Sequence, residues 1–256
     1  FAGAIIVSES FQNPAAYWRT NTGAGLRFVE TCVGAGVAAF VYSSTAAVYG
    51  VPPRLPIAED SPLAPISPYG RSKLALEWAL ADLCSTADTR FAALRYFNVA
   101  GADPLGRAGQ VSPVATHLIK IAAEAVVGKR PGLTIYGDDY PTPDGTCVRD
   151  YIHVADLAEA HVLALGHLEA GGESLVANCG YGQGLSVRAV LDLVRRVSGR
   201  DVPVTVGPRR RGDPPALVAD PSLLRRRLGW VPRHDDPAAM IESALAWERR
   251  WSGGGA

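Results

Sequence analysis

"VAAFVYSS", Val37 to Ser44, is a short, continuously apolar run that stops on two hydroxyls. Eight residues are too few for a typical helix, and the lack of alternation argues against a strand wetted on one face. The run reads as a strand buried on both faces. Before it, "TNTGAGLRFVETCVGAG" has a helical pattern that ends near Gly34 or Gly36. After it, "SPYGRSKLALEWALADL" is a second, strong helix, and "FAALRYFN" is a second buried strand. Apolar strands alternating with helices predict an α/β fold with a doubly wound parallel sheet.

From about Val99 the texture changes. Gly, Pro and Asp crowd "GADPLGRAGQVSP" and "YGDDYPTPDGT", two long loops of the kind that carry function in compact domains. "VATHLIKIAAEAVVG" predicts a helix ending at Gly128. "DYIHVADLAEAHVLALGHLEAG" predicts a strand running into a helix. "SVRAVLDLVRRVSG" predicts a helix capped by Ser186 and stopped by Gly199, and "DPAAMIESALAWERRW" the last helix. The expected division is 1–98 for the first domain and 99–256 for a smaller second one, with the segment about 147–170 returning to the first.

The 256 residues carry 25 basic and 25 acidic side chains. That balance gives no reason to expect nucleic acid or an anionic membrane surface as partner. The arginine clusters at 209–211 and 225–227 are local, and the second reads as a solvated face. Cys32, Cys84, Cys147 and Cys179 form no Cys-x-x-Cys pair and the five histidines are scattered. The expectation is therefore no metal site and reduced thiols in a cytoplasmic enzyme. No apolar run reaches the length of a membrane span, and no signal peptide is visible.

Chemistry enters at "SPYGRSK". Ser67 caps the helix, Pro68 suits its first turn, and Tyr69 and Lys73 fall at i and i+4 on one face. An ammonium beside a phenol favours the phenolate, so the Tyr69 pKa is expected to fall. A phenol tuned this way can take a proton from a sugar hydroxyl. The same spacing also occurs on ordinary surface helices. Ser43, Ser44 and Thr45 lie at a strand's carboxyl end, where doubly wound sheets bind ligands.

A strand-end hydroxyl followed by Tyr-x-x-x-Lys resembles the short-chain dehydrogenase/reductase superfamily, with Thr45, Tyr69 and Lys73 as the catalytic triad. "RYFNVAGADP", "TIYGDDYPTPDGTCVRDYIHVADLAEAH" and "RRRGDPPALVADPSLLRRRLGW" narrow the resemblance to the extended branch, and there to the UDP-glucose 4-epimerase family, over nearly the whole chain. The fold this implies is Rossmann-like with a smaller C-terminal nucleotide-sugar-binding domain. The cofactor implied is NAD. The substrate implied is a UDP-sugar, oxidised transiently at C4 so that UDP-glucose and UDP-galactose interconvert.

The resemblance also implies roles. Tyr69 is the acid/base on the 4-hydroxyl, Thr45 bonds the 4-oxygen, and Lys73 tunes Tyr69 and holds the nicotinamide ribose. Asn21, Ser43, Ser44 and Tyr96 join Tyr69 and Lys73 on the cofactor, with Phe97 beside Tyr96. Asn98, Leu118, Tyr136, Arg149, Arg210 and Asp213 join Thr45 on the substrate. Of these, Arg149 and Arg210 take the diphosphate, Asp213 the ribose, and Leu118 and Tyr136 the uridine. A bidentate guanidinium suits a diphosphate and an aromatic face suits uracil. Relatives often pair through helices equivalent to those around Leu26 and Leu74, which makes a second copy of the chain the implied partner.

Thr45 is followed by Ala46 and Ala47, where the branch's dehydratases carry an Asp-Glu pair. Two methyl groups cannot supply the acid and base that elimination needs. "GYGQGLS" lacks the Gly-x-Gly-x-x-Gly spacing and reads as a strand-to-helix turn. His117 and His153 read as packed or hydrogen-bonded, and Trp78 and Trp247 as helix-packing residues.

No glycine-rich dinucleotide turn precedes Thr45. By resemblance Phe1–Gly3 corresponds to the family's fourth strand, so an N-terminal truncation of roughly 80 residues is expected, with the first strands absent. Two other readings stay open at this point. One is an inactive fragment or cofactor-free nucleotide-sugar binder. The other is a 4-epimerase of an N-acetylhexosamine or pentose, a choice in which Leu217 bears on the room around the sugar.

Overall fold

The computed structural model describes residues 3–112 and 114–253. The chain divides into two compact units. The first comprises Phe1–Tyr96, Glu159–Cys179 and Ala219–Val231, and the second Phe97–Ala158, Gly180–Val218 and Pro232–Ala256. Elements are numbered in chain order over the whole chain.

The first unit holds α1 (Val7–Gln12), α2 (Pro14–Tyr17), α3 (Gly25–Gly34), β1 (Ala39–Thr45), α4 (Pro68–Ser85) and β2 (Arg90–Tyr96). It also takes most of α6 (Val154–Glu169), together with β6 (Leu175–Cys179) and α8 (Ser222–Leu228). Its sheet is parallel in the order β1-β2-β6. Parallel neighbours need a crossover, and α4 supplies the one from β1 to β2.

Alternate residues of β1 meet helices on opposite faces. Ser44 bonds Glu77 of α4, while Ser43 is 3.2 Å from His161 of α6. That is the doubly wound arrangement the apolar strands predicted. Under α4 the core gathers Val29, Tyr42, Leu76, Leu80, Cys84, Phe91 and Ala93.

Helix α4 begins where the sequence says it should. The Ser67 hydroxyl accepts the Gly70 N–H at 3.1 Å, and Pro68 occupies the first turn, where its missing N–H costs nothing. Trp78 departs from expectation: it is 58% exposed on α4. The predicted helix from Thr20 to Gly36 also starts differently. Trp18–Ala24 forms a π-helical stretch ahead of α3. It wraps around Asn21, which is drawn inside by bonds to Ala4 N, Ala4 O and Ser72 Oγ.

The second unit holds β3 (Asn98–Ala100), α5 (Leu118–Val126), β4 (Leu133–Tyr136), β5 (Val148–His153) and β7 (Gly184–Ser186), then α7 (Val187–Ser198), β8 (Val204–Gly207), β9 (Ala216–Leu217) and α9 (Pro237–Gly253). Strand β5 is central. It runs parallel to β3 and β9 and antiparallel to β7, and β4 pairs with β8. The "GYGQGLS" segment thus contains a short strand, β7, before its helix, rather than a bare turn. Ser186 then caps α7 by accepting the Ala189 N–H, and Gly199 ends it at φ 68°, a left-handed conformation that glycine adopts without a Cβ penalty.

Helices α5, α7 and α9 pack together. Between α5 and α9 lies a buried charge cluster. Glu248 holds both Lys120 and Lys129, and Glu124 holds Lys120 and Arg130. Trp247 is a packing residue, its ring stacked on Trp251 at 5.8 Å. His153 is buried against Ser243 Oγ at 3.2 Å, and His117 lies 3.0 Å from Gln110. No helix among the described residues is long and apolar enough to cross a membrane.

Candidate active site

In the first unit Thr45, at the carboxyl end of β1, lies beside the Tyr69 phenol in the first turn of α4, close enough to act on its ionisation. Each is 8% exposed. Thr45 Oγ1 also accepts the Ala47 N–H at 3.1 Å, which fixes its rotamer. The Tyr17 ring meets Tyr69 edge-on, centroids 6.4 Å apart. One turn along α4, Lys73 is half-buried with its Nζ 4.5 Å from the Tyr42 ring centroid.

The electrostatics differ from the sequence expectation. The Tyr69 pKa is raised, not lowered: burial is the dominant cause, and the neighbouring Thr45 hydroxyl opposes it. Lys73 is not among the groups that act on it. Burial instead lowers Lys73 itself to about 8, against the attraction of Glu77. Desolvation of both charged forms outweighs the pairwise benefit that the i, i+4 spacing suggested.

The remaining predicted cofactor residues separate. Tyr96 is half-buried beside His161, ring centroids 6.3 Å apart, with Ser43 near enough to favour its phenolate. Asn21 is 4% exposed and uses both amide N–H groups on Ala4 and Ser72, which makes it a structural clasp with one lone pair to spare. Ser44 is a correction. Its side chain is fully buried and bonded to Glu77 on the α4 face, so it is not available to a ligand.

The second unit brings together most of the predicted substrate residues. Arg149, on β5, is 8% exposed and donates to Val148 O at 2.8 Å, and its Nη2 lies 3.5 Å from Asp213. Its sequence neighbour Asp150 is not its partner: that carboxylate accepts the backbone N–H groups of Tyr181 and Gly182. The Arg210 guanidinium stacks 3.6 Å over the Tyr136 ring, which is 37% exposed. Asn98 at the start of β3 and Leu118 at the start of α5 are half-buried, and no contact places them beside these arginines.

Sequence reasoning missed two groups. Arg209 stacks 4.3 Å over Tyr140 and bonds Asp139 Oδ1 at 2.7 Å, clamping the chain next to Arg210. Glu77 and Arg95 form a forked pair behind the triad. The signal for that pair was present, since "FAALRYFN" and "LALEWAL" each hold one charge inside an apolar run. Buried lone charges imply partners.

A parallel sheet wrapped by helices carries Thr45 at a strand end beside Tyr69, with Lys73 one turn on, and the relatives of the chain give that arrangement its class. The sequence profile of the NAD dependent epimerase/dehydratase family matches residues 1–180, and the chain belongs to that family. Its relatives include UDP-glucose 4-epimerases. The one from Azospirillum brasilense is 57% identical over 97% of this chain and 72% of its own length. The solved UDP-glucose 4-epimerase from Brucella ovis in complex with NAD superposes with a TM-score of 0.92 at 46% identity, covering 96% of this chain and 76% of that one. The one from Bifidobacterium longum, in complex with NAD+ and UDP, gives 0.94 at 36% identity over 100% and 76%. The chain thus spans about three quarters of the length of these relatives.

Proposed function

We propose that the chain carries the catalytic and nucleotide-binding residues of a UDP-glucose 4-epimerase, which interconverts UDP-glucose and UDP-galactose. The observation that carries this reading is Thr45 beside the buried Tyr69 phenol with Lys73 one turn on, at a strand end where Ala46 and Ala47 leave no acid–base pair for elimination.

The residues present suit the nicotinamide-ribose end of NAD. Lys73 is a half-buried ammonium with no ion pair among the described residues, Tyr69 adds a phenol from the first turn of α4, and Tyr96 adds one at the end of β2. Such a donor set fits ribose hydroxyls. NAD, when bound, accepts and returns the C4 hydride.

Tyr69 removes the proton of the 4-hydroxyl and gives it back, with Thr45 holding the 4-oxygen. Burial raises the Tyr69 pKa, so its phenolate has to be stabilised during the proton transfer, and the family resemblance gives that part to Lys73 one turn along α4. In the second unit Arg149 and Arg210 hold the diphosphate, Asp213 the ribose, and Tyr136 and Leu118 the uracil. Asn98 completes the diphosphate contacts.

The test is turnover of UDP-galactose to UDP-glucose by the purified chain with added NAD+, beside calorimetry with UDP. UDP binding without turnover or NAD+ binding would replace this reading with a nucleotide-sugar binder. Faster turnover of UDP-N-acetylgalactosamine or UDP-arabinose would change the sugar.

The chain is further proposed to work in the cytoplasm and as a homodimer. Four free thiols fit a reducing compartment. Phe28 on α3 and Trp78 on α4 are 62% and 58% exposed on two helices that pack together, the kind of apolar surface that pairs. Sedimentation of Trp78→Lys checks the dimer: a monomer is expected.

A further inference from the structure

Lys73 and Glu77 stand four residues apart on α4, the spacing at which a lysine and a glutamate normally pair. They do not pair here. Glu77 is 4% exposed and turned to the sheet, where it accepts from Ser44 Oγ, from Arg95 Nε at 3.1 and 3.2 Å, and from Arg95 Nη2 at 2.6 Å. Arg95 is 5% exposed and held from the other side by the Tyr49 hydroxyl at 3.0 Å, which donates in turn to Asn178. Both carboxylate oxygens are therefore occupied. Lys73 is left over the Tyr42 ring.

We infer that Arg95 is a positioning residue for Lys73: by holding Glu77 against the sheet in a two-pronged grip, it keeps the carboxylate off the ammonium one turn away and leaves that ammonium open to a ligand. The inference gives a function to a buried pair that desolvation makes poor value as a mere stabiliser. It rests on the proposed role of Lys73, but its test does not. The group against Lys73 is the Tyr42 phenol on β1, which in turn has Tyr69 on α4 and Tyr96 on β2 near it, and Tyr17 on α2 meets Tyr69. Among the described residues Glu77 is the one anion acting on Lys73, and it acts to favour the ammonium.

The chain has only three lysines, and Lys120 and Lys129 are both tied to Glu248. Lysine-labelled protein therefore gives three resolvable side-chain signals, and an NMR pH titration reads Lys73 directly. Arg95→Gln, which can still bond Glu77 but has no charge, is expected to raise the ammonium-to-amine ratio of Lys73 at pH 8 about tenfold. A folded Arg95→Gln with Lys73 unmoved overturns the inference. Should that variant not fold, Glu77→Gln with Arg95→Gln removes both charges at once. There Lys73 is expected to titrate at or below its wild-type position, and titration above it overturns the inference. An inactive chain with the expected titrations breaks the proposed function alone. An active chain with Lys73 unmoved breaks only this inference.

Discussion

The two units use arginine and tyrosine in opposite ways. In the first, Arg95 is sealed into the sheet on Glu77, and the phenols of Tyr42, Tyr49 and Tyr69 are buried and directed at named partners. In the second, Arg209 and Arg210 lie across the faces of Tyr140 and Tyr136, Arg209 with its edge on Asp139 and Arg210 half-buried over a half-exposed ring. A group that must change protonation state is best kept dry, because low dielectric magnifies each neighbour's influence. A group that must grip an incoming anion needs donors not already spent on a close anion: Arg210 lies half-buried over Tyr136, and Arg149, though buried, has Asp213 only at 3.5 Å. The difference teaches that position in a sheet and function in a site are separate uses of the same side chain.

That contrast can be broken at several points. Tyr69→Phe is expected to lower turnover by roughly 10²–10⁴-fold with KM little changed; a comparable rise in KM would move Tyr69 into the binding half. Glu248→Leu strips Lys120 and Lys129 of their shared anion and is expected to cost about 3–5 kcal/mol in urea unfolding, a structural loss confined to the unit that binds. Arg149→Ala is expected to raise KM for UDP-galactose roughly 10–100-fold while leaving kcat, and an equal fall in kcat would blur the division.

Two smaller effects sharpen the first unit. Ser67→Ala removes the α4 cap and is expected to cost about 1 kcal/mol. Lys73 supplies the pH dependence. Its folded pKa of about 8 lies below its ordinary 10.5, so above pH 8 the unfolded chain binds the proton more readily than the folded one. Stability should therefore rise with pH between about 8 and 10 relative to Lys73→Met, which lacks the group. The opposite slope would mean that Lys73 has an anionic partner after all.

Much of the fold was readable because it rests on local periodicity and caps. The strand at Val37–Ser44, the helix after Ser67 and the stops at Ser186 and Gly199 all follow from signals within a few residues. What was not readable depends on distant groups. The wide turn at Trp18–Ala24 is set by Asn21 reaching Ala4 and Ser72, which no local pattern announces. Ser44 and Thr45 looked alike as strand-end hydroxyls, yet alternation sends one into the α4 interface and the other to Tyr69. The direction of the Tyr69 shift was misjudged for a similar reason: spacing along a helix gives proximity, but burial is decided by what packs over it.

The buried polar row has one more consequence. Ser44, Arg95 and Asn178 are register partners across β1, β2 and β6, joined through Glu77 and Tyr49 into one line. Sliding β2 by one residue would turn Arg95 to the opposite face and strand Glu77 in the core without a cation. An all-apolar sheet would tolerate such a slip, since one aliphatic side chain packs much like the next. Here the misaligned sheet would bury an unanswered charge. The polar row thus acts as a proofreading step for strand alignment, and it fixes the register that places Thr45 opposite Tyr96.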